Sequence, residues 1–413
     1  MRDVHGDWRD LFNCFRMALD LRKISLAFVG AVLSGVGIAL VLTLAFLAYQ
    51  HKQGKGSLWG EMREGRWDRV SQDVQAFSHY TFARPAPSAS SCLSCGPGHA
   101  MRPCPIRRCL SLPASRAGKL LYGLCGMWLL AVWSFYGGAI TRIAAVEMAK
   151  DERIEFGEAT RFAAAHRWSY FWAPLSVAAA ALAFALCIVA VGWVCDATWG
   201  WMGLGKVLLV LGFPLALLGG LLILLLAIWG LLGCGLMFPA VSAEGTDAFD
   251  AVSRAFSYVF SRPWRFLWYH LVAAAYAVPS CLFVIAFTFG VIRITLGLGQ
   301  AGMPHAAQPG RFGEVLASLT PGLGGGLASP QGFGLGLVSC LVAAMLYLAV
   351  GMAFAYIVSY YWTAKTLIYF LLRKAVDGTE MKEVYEEESE EDLVAGGAAP
   401  GGTASTPPPA PPA

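Results

Sequence analysis

The chain has 413 residues, of which 57% are hydrophobic and only 14% charged. Soluble globular domains carry about 25% charged residues, so this balance excludes an ordinary soluble domain and points to lipid as the solvent. The net charge of +4 reads as an orientation signal, and no nucleic-acid partner is expected.

In chain order, residues 1–24 form a segment outside the membrane. Within it, 6–23 suits an interfacial helix, with Trp8, Leu11, Phe12, Phe15 and Leu19 on one side and Arg9, Asp10, Arg16, Asp20 and Lys23 for the polar remainder. A membrane or partner sensor would look like this, but so does a plain anchor running into the first span, which is the preferred reading. Six stretches then reach the length of about 20 apolar residues that a bilayer demands, at about 25–49, 119–141, 170–195, 207–239, 266–297 and 335–362. Unbroken runs such as Leu221 to Ile228 lack the alternation of a barrel strand, and lipid offers exposed backbone no partner. The fold class expected is therefore all-α: a polytopic bundle of six transmembrane helices over 25–380, joined by short amphipathic elbow helices. The first span is too long, and too far from the start, for a cleaved signal sequence.

Two long loops interrupt the bundle. In the loop 50–118, Leu58, Trp59, Met62, Trp67, Val70, Val74 and Phe77 suit a short surface helix, and 84–117 is rich in Pro, Ser and Cys. Here Cys92, Cys95, Cys104 and Cys109 cluster, with His99 between them. Thiolates at these spacings suit zinc, whereas an outer location favours disulfides. Disulfide, metal and no defined role all stay open. The other seven cysteines are scattered through or near apolar helices, where a thiol behaves as a small hydrophobe. The loop 298–334 is dominated by Gly and Pro, and the tail 381–413 is acidic and then rich in Gly, Ala and Pro, a composition expected to stay disordered.

Orientation follows from the basic residues. Arg2, Arg9, Arg16, Arg22 and Lys23 precede the first span, and Lys365, Arg373, Lys374 and Lys382 follow the last. Arg142, Lys150, Arg153, Arg161 and Arg167 lie between the second and third, and Arg254, Arg262 and Arg265 between the fourth and fifth. The short loop 196–206 holds only Lys206. Both termini and both elbows are therefore expected in the cytoplasm.

The elbows are written alike. Phe156-Gly-Glu-Ala-Thr-Arg161 leads to Trp168-Ser-Tyr-Phe-Trp172, and Phe249-Asp-Ala-Val-Ser-Arg254 leads to Trp264-Arg-Phe-Leu-Trp268. A remnant, Asp377-Gly-Thr-Glu380, echoes Glu244-Gly-Thr-Asp247 after the last span. In the second elbow Gly245 suits a helix stop, Thr246 a cap and Asp247 the first turn. Phe249, Val252, Phe256, Val259 and Phe260 share one face. Arg161, Trp168, Trp172, Arg254, Trp264 and Trp268 are the expected interfacial anchors. The pattern implies a unit of two spans plus a surface helix, used about three times.

The second elbow, from Ala240-Val-Ser-Ala-Glu244 through Ala251-Val-Ser-Arg254 to Arg262-Pro-Trp-Arg265, resembles the membrane domain attached to some glycerophosphodiester phosphodiesterases and related uncharacterised bacterial six-span proteins. The resemblance covers about 119–380 and implies a six-span architecture in a bacterial cytoplasmic (inner) membrane. No phosphodiesterase domain accompanies it in this sequence, so the resemblance carries no activity.

Signs of chemistry are few. There is no H-E-x-x-H, Walker loop or G-x-S-x-G, the seven histidines are scattered, and no cofactor is expected. Asp151, Glu152, Glu155 and Glu158 form an acidic cluster that suits a divalent ion, but the interleaved Lys150, Arg153 and Arg161 favour a solvated face. Arg142, Glu147, His270 and Arg293 read as interfacial or snorkelling groups. Glycines and prolines at Gly30, Gly35, Gly37, Pro214, Gly219, Gly220 and Pro279 suit either broken, solute-binding helices or close packing and kinks. The function expected is a non-enzymatic scaffold, regulatory or membrane-assembly role, with the lipid bilayer as surroundings and protein partners at the elbows or tail. A permease or lipid-handling protein ranks second, and a membrane-embedded hydrolase third.

Overall fold

The computed structural model describes residues 6–52, 72–77, 116–198, 204–302 and 333–385. Among these, helices make up nearly all of the chain and no strand is present. A 3₁₀ turn, Trp8–Asn13, leads into α1 (Cys14–Ala18), α2 (Leu21–Lys52), α3 (Arg116–Lys150), α4 (Phe156–Ala165), α5 (Arg167–Ala197), α6 (Leu204–Glu244), α7 (Ala248–Ser261), α8 (Pro263–Gly302) and α9 (Phe333–Asp377). Six of them, α2, α3, α5, α6, α8 and α9, are long and apolar enough to cross a membrane. The protein is a multi-pass helical membrane bundle. The cysteine cluster at 92–109 and most of the tail lie outside the described residues.

Each of the three long helices that ends at the elbow end of the bundle is followed by a left-handed residue. These are Asp151 (φ 58°) after α3, Gly245 (φ 63°) after α6 and Gly378 (φ 71°) after α9. Gly245 accepts this backbone without a Cβ penalty, and its N–H closes α6 on the Val241 carbonyl at 2.8 Å. Asp151 tolerates it because a short polar side chain is the least strained alternative. The capping differs from the sequence expectation. Asp247, not Thr246, occupies the N-cap of α7, and its side chain makes no capping bond. The Thr246 hydroxyl is buried without a hydrogen-bond partner.

The elbow helices pack against the bundle: α4 against α3, and α7 against the α5–α6 pair. The buried face of α7 is Ala251, Ala255, Tyr258 and Val259, while Phe249 is 82% exposed. Alanines at the contact let α7 approach closely, and this turns the larger aromatic ring outward. The N-terminal segment is likewise not one flat helix. It breaks at Leu19–Asp20, and Leu11, Cys14 and Met17 are buried beneath the bundle along with Asp10. Phe12 meets the Tyr276 ring edge-on at 5.0 Å, and the Ser359 hydroxyl donates to the Ala18 carbonyl at 2.9 Å.

Among the described residues the main hydrophobic core lies at this elbow end. Central to it is the last third of α3, from Ala139 to Ala149, which meets the ends of α6 and α9 and the start of α5. Glycines permit the approach: a Cβ on Gly137 would sit 2.9 Å from the Trp362 ring, and one on Gly138 2.6 Å from Tyr170. The apolar windows of α5, α6 and α8 show no burial, and Val189, Trp193, Val210, Leu211 and Phe287 are exposed. Helix α9 runs to Asp377, well past the span end expected at 362. Its final turns carry Leu367, Ile368, Phe370, Leu371 and Leu372 into protein rather than lipid.

A Gly138→Ala substitution is expected to lower stability by about 1–3 kcal/mol through overpacking against the buried Tyr170. Gly126→Ala, where nothing lies within 4 Å, serves as the neutral control. Thermal unfolding in detergent compares the two.

Candidate functional site

The charged side chains of the elbow end gather into linked groups. Glu244, the last residue of α6, is the first centre. Its carboxylate is paired with Arg254 of α7, lies 3.3 Å from Arg373 Nε of α9, and accepts from the Tyr369 hydroxyl at 2.6 Å. Arg254 also bonds Asp250 one turn back at 3.0 Å. Partial burial works against the Arg254 charge, but Asp250 and Glu244 together outweigh it and hold the guanidinium above its ordinary range. The Tyr258 hydroxyl of α7 donates to the Asp377 carboxylate at the end of α9. Burial, and then this contact with a carboxylate, push its ionisation up.

Arg142 is the second centre. It is 5% exposed and not snorkelling: burial in the α3 segment of the core takes it inward instead. It donates to the carbonyls of Ser242 and Tyr385 at 2.8 Å each, and its guanidinium lies 4.1 Å from the centre of the Phe162 ring. Beside it, the Ser242 hydroxyl is shared between Thr141 at 2.6 Å and Tyr170 at 2.8 Å. The chain after α9 completes this centre. Residues 378–385 return across the bundle end, where the Tyr385 N–H donates to the Ala243 carbonyl at 2.8 Å. Arg373 holds the same strap through the Glu383 carbonyl at 2.8 Å.

A third group joins α2 to α3: Lys23 Nζ reaches Glu147 at 2.6 Å and the Met17 carbonyl at 3.0 Å. Removing one member of such a buried pair typically costs about 3–5 kcal/mol. Burial pushes the nearby Cys14 thiol up to about 12, so it is a packing group and not a nucleophile. A fourth pair stands apart, where Lys365 Nζ lies 2.7 Å from His270 Nε2.

Two clefts open beside these groups. One, of about 650 Å³, is lined by Arg16, Asp20, Arg22, Glu147, Asp151 and Arg153. The other, of about 420 Å³, lies under the strap among Arg142, Lys150, Glu152, Arg153, Glu155 and Arg161. Their linings mix both charges, and among the described residues no His, Cys, Asp and Glu group has the arrangement of a metal site. A third, apolar groove of about 400 Å³ runs between α2 and α9, past Phe28, Val32, Tyr347 and Phe354.

Of the sequence candidates, Arg254 enters the Glu244 cluster and Arg161 lines the strap cleft. Trp168, Trp172, Trp264 and Trp268 are exposed on the bundle surface. Cys92, Cys95, Cys104 and Cys109 lie outside the described residues. Sequence reading places Glu244 in the elbow motif but assigns it no charge partner, and it does not single out Tyr369 or Lys365. The apolar span expected at 335–362 puts Lys365 beyond its end, yet Lys365 sits within α9. A period-four spacing of Tyr361, Lys365 and Tyr369 along one helix was the available signal.

The raised Tyr258 ionisation has a pH consequence. The unfolded phenol ionises near 10 while the folded one stays protonated, so this contribution to stability is complete below pH 10 and falls as pH rises beyond it. Tyr258→Phe is expected to cost about 1–3 kcal/mol at neutral pH, as a hydrogen bond to a charged group. It should also flatten the stability loss above pH 10, followed by denaturation at stepped pH.

Neither a protein family, nor a curated protein, nor a solved structure matches this chain.

Proposed function

We propose that this protein is a non-enzymatic scaffold for membrane assembly. Its spans would serve as surfaces for other membrane helices. The observation that carries this reading is the confinement of the core to the elbow end, with α5, α6 and α8 uncovered along their apolar windows. Ion pairs and the strap tie the helix ends into one body, and the free lengths of the helices are left to meet neighbours. Helix association in lipid uses small residues that let backbones approach closely, and Gly192 of α5, Gly220 of α6 and Gly290 of α8 have nothing within 4 Å of a Cβ position.

The reading includes residence in a bacterial cytoplasmic membrane with termini and elbows on the cytoplasmic side. It also includes a threefold use of a span pair and elbow. The basic residues at the elbow end and the left-handed residue after each of α3, α6 and α9 support these points. Lipid handling is the second reading, favoured by the apolar groove at Tyr347.

Photo-crosslinkers replacing Trp193 or Leu211 are expected to capture a protein in native membranes. Adducts to lipid alone, or accelerated movement of a labelled lipid across liposomes containing the purified protein, overturn the scaffold reading. Orientation is read separately. A Phe249→Cys probe in a background with the native cysteines replaced is expected to react only from the cytoplasmic side, and labelling from outside reverses the topology.

A further inference from the structure

Lys365 lies between two helices, α6 and α8, that share no packed interface among the described residues. Helix α9 stands behind the gap between them. The Lys365 stem lies across Gly235 of α6, where a Cβ would come within 2.7 Å of Lys365 Cε. Its ammonium then reaches His270 of α8 at 2.7 Å. The hydrogen-bond pattern assigns the roles. His270 Nδ1 donates to the Phe266 carbonyl at 2.9 Å, so Nε2 carries the lone pair and accepts from Lys365. An ammonium has three donors, and this uses one. Among the described residues no carboxylate pairs with Lys365; the Cys234 thiol of α6 is a weak acceptor, and the Tyr361 ring centre lies 5.5 Å from the ammonium.

The gap is open on its lipid side. One turn toward the membrane interior from Gly235, His270 and Lys365 stand Leu231, Ala274 and Tyr361, and all three are exposed. Depth follows from helical rise: His270 lies about 10 Å along α8 from Pro263, and the exposed Trp264 and Trp268 mark the interface beside that start. The ammonium therefore sits near the boundary between headgroups and acyl chains. Charges at such depth are rare and are normally paired.

We propose that the gap between α6 and α8 binds an anionic phospholipid of the leaflet on the elbow side. The phosphodiester takes the two remaining donors of Lys365, and the acyl chains follow the exposed Leu231, Leu271 and Ala274 toward the membrane interior. His270 acts as a positioning residue by holding the ammonium at the mouth of the gap. This site does not depend on the scaffold reading, since a scaffold and a lipid carrier would bear it alike.

Full-length protein, delipidated in detergent, tests it by native mass spectrometry with added phosphatidylglycerol or phosphatidylcholine. The wild type is expected to retain one phosphatidylglycerol per chain in preference to phosphatidylcholine. Lys365→Met should weaken that retention about tenfold or more, the scale of one charge-assisted contact, and Lys365→Arg should keep it. Gly235→Ala, which displaces only the end of a flexible side chain, should weaken it with the unfolding temperature unchanged. This keeps the test decisive if Lys365→Met folds poorly. Equal retention by wild type and Gly235→Ala, or equal retention of both lipids, overturns the proposal. So does saturable binding of inorganic phosphate with no lipid retained.

Discussion

The carboxylate of Glu244 holds together pieces of chain that would otherwise diverge. It stands at the end of α6, takes Arg254 from the elbow helix that follows, and takes Arg373 and Tyr369 from α9. A negative charge at a helix C-terminus is unfavourable toward the helix dipole. Two guanidiniums and a phenol offset this and make the position an organising point. The same logic repeats beside it. Arg142 draws the α6 carbonyl at Ser242 and the returning strap at Tyr385 onto α3. Lys23 ties α2 to Glu147. Helix ends where water gives way to lipid carry unsatisfied backbone groups and charges, and each must find a partner. Here they find one another, so the polar end is also the packed end.

The packing follows from this. Once the ends converge, α3 becomes the central post, and glycines at 137 and 138 set how near Trp362 and Tyr170 come. Farther along, Trp128 Nε1 donates to the Leu33 carbonyl at 3.2 Å and joins α3 to α2, but the apolar shafts of α5, α6 and α8 face lipid, which solvates leucine as well as another leucine does. The free lengths of α5, α6 and α8 stay exposed for that reason. The elbow end is bonded side chain to backbone, and the opposite end is governed by surroundings.

The all-helical spanning architecture was legible because continuous apolar runs of sufficient length admit one secondary structure in lipid. The elbow helices were legible from their amphipathic spacing, and Gly245 from its place after a long span. Tertiary choices were not. The sequence pattern put the phenylalanines of α7 on one face but does not say that Ala251 and Ala255 form the contact, because close approach depends on the neighbouring α5 and α6. Arg142 looked like a snorkelling group because its partners, Ser242 and Tyr385, are about 100 and 240 residues away. Lys365 was assigned to water because hydropathy falls at that point, whereas α9 continues with Leu367 and Ile368 buried in protein. A window average cannot separate a helix leaving the bilayer from one entering a protein core.

The pairing of α5 with α6 has a mechanical side. Helix α6 has 41 residues and is about 60 Å long, and its burial is concentrated in the last turns before Glu244. With the base clamped and the shaft unbraced by α8, the hairpin is a lever whose pivot is the charge cluster. A tilt of about 5° at the pivot carries the far tip about 5 Å, by the geometry of a rod of that length. Small changes in the spacing of Glu244, Arg254 and Arg373 are thereby geared to large ones on the opposite face of the membrane.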